Sequence, residues 1–273
     1  MVLILQPGGA ERGLERLEAA RKLDPGTPFL DRPLSQAHLL IGRRLAGEGH
    51  PEEALKHAQA AFELDPEELD TKELLADCRQ LVSDFAGALK LYEELQEQGR
   101  DTLAVRAELH QRAATYELFH HEREKAVEHY LAARELGLDD EALGFGATVL
   151  REEAEAALHK GVEAYDAGAL VSARQSFERA LLMEPENIAA RNHLGVVLFH
   201  QEDYAGAAQA WKVVLAEAQA RALELPEPVE LNLARAQKLA GLEGEARETV
   251  EGFLEREPES VYAREAEELL RRL

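Results

Sequence analysis

The chain is short of most things that would give it chemistry. A single cysteine, Cys78, excludes an internal disulfide framework. Isoleucine is nearly absent and aromatic residues make up 5% of the sequence, so the β-branched and ring side chains that favour strands are scarce. No run approaches the roughly 18 uninterrupted apolar residues that a membrane helix needs. Met1 to Leu5 is brief, carries no basic leader and meets Pro7-Gly8-Gly9, so it does not read as a signal peptide. Basic residues are outnumbered 31 to 53 by acidic ones, a net charge of −22. Such a field repels phosphate backbones and anionic lipid, which argues against nucleic acid and membrane insertion as partners. A cytoplasmic location is the expectation, and the surplus charge reads first as a solvated outer surface.

What is abundant is alanine, leucine, glutamate and arginine, all strong helix formers, within a 45% hydrophobic fraction that suffices for a continuous core. The composition predicts an all-α fold. Its organisation follows from a fixed interval. Ala173 and Ala207 lie 34 residues apart, each with glycine twelve positions before it (Gly161, Gly195) and a large aromatic four after it (Phe177, Trp211). Ala54 and Ala88 repeat the interval in the N-terminal half. A 34-residue period in an apolar, helix-forming sequence is the mark of stacked helical hairpins.

Residues 154–187 show why. Gly161 and Ala173 lack bulk, so two helix backbones can cross closely, Phe177 fills the adjoining space, and Ala180 lets the next hairpin approach. Gly168 can take φ > 0 in the turn, and Pro185 cannot continue the second helix. With these residues in place the chain resembles the tetratricopeptide repeat (TPR) family, whose motif is a spaced Trp-Leu-Gly-Tyr, Ala, Phe, Ala, Pro series. Unit 188–221 matches through Leu194-Gly195, Leu198, Ala207, Trp211 and Val214. Unit 35–68 matches through Ile41-Gly42, Leu45, Gly49, Ala54, Ala61 and Pro66, and unit 69–102 through Leu75-Ala76, Ala88, Tyr92 and Leu95. Two degenerate units follow the same frame around 107–140 (Ala113-Ala114, Ala126, Tyr130, Ala133) and 227–260 (Leu233-Ala234, Ala246, Phe253, Pro258).

The resemblance implies a right-handed α-solenoid. Its expected parts are a partial N-terminal repeat and Pro/Gly-rich loop over 1–34, repeats one to three over 35–140, and an irregular or helix-extending connection over 141–153. Repeats four to six over 154–259 and a capping helix over 260–273 complete it. Leu17, Ala20 and Pro25 read as the second helix of a unit lacking its first. Val261, Ala266, Leu269, Leu270 and Leu273 read as the buried side of the cap. A continuous solenoid bent near 141–153 is favoured over two independent domains.

Catalytic sets are missing. No nucleophile elbow, P-loop, dinucleotide fingerprint or kinase series occurs, and no cofactor or metal is expected. His120-His121-Glu122 falls in a turn, and His121 and His129 lack the close-pair spacing of a zinc site. Cys78 sits among apolar helix neighbours and reads as a buried, inert thiol. His193 and His200, seven apart, share one helical face, expected to line the inner groove. The chain is read as a non-enzyme.

In the TPR fold the first helix of each repeat lines the concave surface. The resemblance therefore implies a groove presenting Arg43, Asp77, Gln111, Thr115, Phe119, Leu158, Val162, Tyr165, Asn192, Val196, Phe199, His200, Asn232, Arg235 and Lys238. Tyr165 and Phe199 are expected as an apolar floor or as core, Asn192 and Asn232 as amides able to grip a peptide backbone, and Arg43 or Arg235 as carboxylate partners. Some TPR proteins hold acidic chaperone tails through a clamp of two lysines, two asparagines and an arginine. At the matching places this chain offers Leu39, Arg43, Leu74, Glu108 and Arg112, or Leu158, Val162, His193, Pro228 and Asn232, so that activity is not expected. The implied function is a scaffold that binds a protein or peptide segment in the groove. Self-association as a homo-oligomer, or service as the docking arm of a larger enzyme or regulator, are the alternatives.

Overall fold

The computed structural model describes residues 9–26, 29–225 and 228–273, and within them every regular element is a helix. Met1 to Gly8, and with them the run judged not to be a leader, lie outside the described residues, as do 27–28 and 226–227. Contacts divide the chain into two units, 1–147 and 148–273.

Unit one begins with a single helix, α1 (Gly9–Leu23), which packs on the first of three hairpins. These are α2 (Asp31–Gly47) with α3 (Pro51–Leu64), α4 (Leu69–Leu81) with α5 (Phe85–Glu97), and α6 (Leu103–Phe119) with α7 (Arg123–Glu135). A four-residue helix, α8 (Asp140–Leu143), closes it. The boundary falls inside α9 (Phe145–Asp166). In unit two α9 pairs with α10 (Leu170–Met183), α11 (Ile188–His200) with α12 (Tyr204–Ala220), and α13 (Val229–Leu239) with α14 (Glu243–Arg256). Helix α15 (Ala263–Arg271) packs on α14.

Each hairpin turns in the same way. One residue in every turn adopts positive φ: Gly49, Ser83, His121, Gly168, Glu202 and Gly241. The amide of the following residue then reaches back five positions to a helix carbonyl, as in His50→Leu45, Asp84→Arg79 and Asp203→Leu198, each 2.9 Å. This closure satisfies carbonyls that the helix end leaves unpaired. The second helices of two hairpins start with a shared local sequence, Asp84-Phe-Ala-Gly87-Ala88 and Asp203-Tyr-Ala-Gly206-Ala207. In both, the aspartate carboxylate accepts the glycine amide at 3.0 Å. A Cβ on Gly87 would lie 2.3 Å from Asp84 Oδ2, so glycine is what leaves room for the cap.

The recurring alanines are where the repeat requires them. Ala54, Ala88, Ala126, Ala173, Ala207 and Ala246, one per hairpin, have no exposed surface. Opposite them the glycine positions are filled by a neighbour's side chain. A Cβ on Gly161 would sit 2.5 Å from the Phe177 ring, on Gly195 2.8 Å from the Trp211 indole, and on Gly42 2.9 Å from Leu74. The ring takes the volume that the missing side chain vacates, giving close packing without a void.

Two details differ from expectation, and one open alternative is resolved. The loop expected within 1–34 stops short of that bound, because α2 starts at Asp31 and proline is compatible with a first helical turn. Of the two alternatives for 141–153 the helix-extending one applies from Phe145, where α9 begins, and Gly146 is glycine because Tyr130 lies where its Cβ would be, 2.4 Å away. Val261, assigned to the buried side of the cap, precedes α15 and is 89% exposed, whereas Ala266 is buried and Leu269, Leu270 and Leu273 pack against the α13–α14 core.

Two substitutions separate crossing glycines from incidental ones. Gly161→Ala is expected to destabilise unit two by about 1–3 kcal/mol through overpacking against Phe177. Gly252→Ala, in the interior of α14 with only the flexible Arg256 guanidinium 3.4 Å from the added methyl, is expected to stabilise by about 0.5–1 kcal/mol. Urea unfolding of the two variants beside the parent measures both.

Candidate functional site

In unit one the first helices α2, α4 and α6 carry the residues expected at a binding face. Arg43 is exposed and 3.4 Å from Asp70, which also accepts from Arg100 at 2.7 Å. Asp77 is committed inward: it accepts from the buried Tyr92 hydroxyl and from Gln80 Nε2. Burial first, and then the Asp77 carboxylate, push the Tyr92 phenol well above its ordinary range. Gln111 donates to the carbonyls of Ala142 and Leu143 at 2.7 and 3.3 Å, tying α6 to α8. Thr115 returns its hydroxyl to the Gln111 carbonyl at 3.0 Å.

Phe119 is different, being 81% exposed at the end of α6. It belongs to a run of rings that sequence reading did not assemble. Phe119 stands edge-on to His120 at 5.5 Å, His120 lies 4.3 Å from Tyr116, and Tyr116 meets Phe85 edge-on at 5.5 Å. Arg112 stands 5.9 Å from the Phe85 centroid and donates to Gln80 Oε1 at 2.6 Å. Arg112, Tyr116 and Phe119 are spaced by four and three, so one helical face carries all three. That spacing was the available signal. Phe85 belongs to the second helix and enters only because its cap directs it there.

In unit two most of the expected groove is structural. Leu158, Val162 and Tyr165 pack against Ala173, Phe177 and Val197. Val196 and Phe199 pack against the cluster of Leu198, Trp211 and Leu233, with Phe199 5.3 Å from Tyr204 and 6.1 Å from Trp211. Tyr165 and Phe199 therefore form no shared floor; His200 lies between them, its Nε2 3.0 Å from the Tyr165 hydroxyl and its ring edge-on to Phe199 at 6.4 Å. Of the two groove histidines, His200 is exposed, while His193 stacks on Phe177 at 5.3 Å and 11°. Asn192 accepts the Trp211 indole N–H at 2.9 Å. Asn232 accepts from Arg235 at 3.1 Å, Arg235 pairs with Glu265, and Lys238 donates to the Arg272 carbonyl at 2.9 Å. A cleft of about 640 Å³ in unit two lies elsewhere, with Leu215, Leu225, Phe253, Arg256 and Tyr262 among its lining.

Cys78 is fully buried, and desolvation raises its thiol to about 11, which removes it as a nucleophile at neutral pH. Among the described residues no three His, Cys, Asp or Glu side chains converge as metal ligands, and no helix is long and apolar enough to cross a membrane. Two contacts were missed altogether. His38 and His57 meet through their Nδ1 atoms at 2.9 Å, and so do His110 and His129. Both pairs join a first helix to its second helix across 19 residues, and one pair is displaced from the other by 72. The equal spacing was legible, but 19 residues is not a metal-ligand interval and nothing else in the sequence marks it.

A chain built of helical hairpins, closed by the same turn and crossing at recurrent small residues, is a helical-repeat protein of the α-solenoid class. A family model described as tetratricopeptide repeat matches residues 39–102 and 158–222, one stretch in each unit. Both stretches are tetratricopeptide repeats. No curated protein matches its sequence. Among solved structures it is similar to the TPR2AB-domain:pHSP90 complex of yeast Sti1, with 16% identity, 87% of this chain and 97% of that one covered, and a TM-score of 0.38. It is also similar to pilF of Pseudomonas aeruginosa (18%, 85% and 95%, TM-score 0.33). A thermophilic TPR protein of Thermus thermophilus is similar to a comparable extent (17%, 86% and 98%, TM-score 0.33).

Trp211 ties α12 to α11 through the Asn192 bond. Trp211→Phe is expected to cost unit two about 2–4 kcal/mol, from the lost hydrogen bond and the space that the smaller ring leaves beside Gly195, read as a lower midpoint in chemical denaturation followed by circular dichroism.

Proposed function

We propose that the chain is a protein-interaction scaffold that seats a peptide or protein segment against the first-helix face of its hairpins. The observation that carries this reading is the exposed rings of Tyr116, His120 and Phe119, continued by the partly buried Phe85 with Arg112 beside it. Exposed aromatics clustered on one face of an otherwise heavily charged chain are the composition of a binding hot spot, in which Tyr and Arg anchors supply most of the affinity. The rings need little conformational entropy to bind, and Arg112 is already held by Gln80. In unit two the exposed His200 beside Tyr165 is the corresponding feature, whereas Phe199 serves the core.

A peptide-display library panned on the protein tests this. Peptides enriched on the parent should lose about tenfold or more in affinity on the Tyr116→Ala/Phe119→Ala variant, the loss of at least one hot-spot anchor. Equal binding by the variant removes this face as the site. The concave set proposed from sequence is tested in the same screen by Tyr165→Ala/His200→Ala, with Phe199 left intact because its loss would unfold the core.

One observation favours self-association as a second reading. Leu23, at the end of the unpaired helix α1, and Phe29 are 88% and 89% exposed. If they form a homotypic contact, light scattering will give a mass above 30.3 kDa for the parent and the monomer mass for Leu23→Glu.

A further inference from the structure

The two histidine pairs have no part in the binding face described above, and their geometry has a consequence of its own. Counted from the buried alanine of each hairpin, His38 and His110 stand sixteen before Ala54 and Ala126, and His57 and His129 stand three after. The same two positions hold Lys72 and Leu91 in the middle hairpin of unit one. In unit two they hold Ala157 and Ser176, Arg191 and Ala210, Glu230 and Thr249. The pairs are thus confined to the first and third hairpins of unit one. In each, Nδ1 faces Nδ1 at 2.9 Å, with ring centroids 5.1 Å apart. Two lone pairs repel at that distance and two N–H groups repel more strongly, so a neutral pair has one proton between its Nδ1 atoms: one Nδ1–H donates and the other Nδ1 accepts, the accepting ring carrying its proton on Nε2.

We propose that His38–His57 and His110–His129 are two acid-released latches: one Nδ1–H shared between the rings clamps first helix to second helix, and protonation of both rings opens the clamp, so that unit one loosens in mildly acidic solution while unit two does not. A first added proton can go to the free Nε2 of the donating ring, whose Nδ1–H still points at its partner. The next must go to the accepting Nδ1 of the other partly buried ring, which replaces the hydrogen bond by N–H against N–H between two cations. Burial, followed for His38 and His110 by the partner imidazole, lowers the proton affinity of all four rings, with His110 brought down to about 4.

Surrounding charges act on both latches. Around the first stand Glu11 and Glu18 of α1 and Glu53 of α3, which favour the cation, against Arg44 of α2. Arg44 itself is held by Glu11 and Glu48. Around the second stand Glu117 of α6 and Glu128 of α7 against Arg106 of α6, which is 3.1 Å from Glu93 of α5. Arg106 acts directly on His110, adding to the burial and the partner imidazole that hold this ring low. The sign is that of a base held below its ordinary affinity. Above about pH 6.5 both closed and open states are neutral and the latch is at full strength. As the pH falls from there towards the lowered values the open state binds more protons, and the closed state loses stability.

Long-range ¹H–¹⁵N correlation of the histidine rings in the intact chain tests this directly. At about pH 7.5 each pair should show one Nδ1–H and one Nε2–H tautomer, and the paired rings should titrate below an ordinary histidine. Hydrogen exchange, corrected for its intrinsic pH dependence, should quicken about tenfold or more in α2–α3 and α6–α7 on going to about pH 5, and stay level in α10–α12. His57→Gln and His129→Gln should each abolish the acid response of their own hairpin alone. Four rings titrating together at the ordinary value, two Nε2–H tautomers in a pair, or glutamine variants that keep the full acid response would each overturn the proposal. So would a pair that binds Zn²⁺ at neutral pH with loss of its Nδ1 proton. The tautomer measurement decides the matter on the parent chain even where a variant fails to fold.

Discussion

The structure depends on backbones that come closer than side chains ordinarily permit. At Gly161 and Gly195 the place of a Cβ is taken by the aromatic ring four residues beyond the buried alanine of the same hairpin. At Gly42 it is taken by Leu74 of the next hairpin. Dispersion at such contacts is collectively large and falls away with small gaps, so the crossing fixes both the spacing of the two helices and the rotamer of the ring. The uniform turns then follow, since two helices held that close can be joined by only a few residues with one of them in the left-handed region.

This constraint also determines what is left over for function. A first helix that spends its small residues on its own partner and its larger apolar residues on the next hairpin has only a narrow strip to offer. In unit two the strip is nearly consumed: Leu158, Val162, Val196 and Phe199 all pack inward, and the polar members Asn192, Asn232, Arg235 and Lys238 bind one another or the chain. Unit one retains the exposed rings of Tyr116, Phe119 and His120.

The all-helical class, the hairpin crossings and the buried alanines were legible because they rest on residue size at a fixed interval, and size is what a sequence displays most directly. The connection near 141–153 was harder to read. Its glycines suggested irregularity, yet Gly146 is small to admit Tyr130 from another helix, a tertiary reason that local pattern does not carry. The candidate site was legible only in part. Phe119 was found, but Phe85, Tyr116, Arg112 and His120 come together through a turn and a cap. Groove residues were assigned by helix position, which says which side of a helix a residue occupies and not whether a neighbour already covers it.

The single tryptophan has one more use. Trp211 lies in unit two, 2% exposed, with its indole N–H on Asn192. Its emission is therefore a private reporter of one half of the molecule, blind to the other half by construction. Comparing that signal with the backbone dichroism of the whole chain reveals whether the two units melt together or in turn, with no label attached.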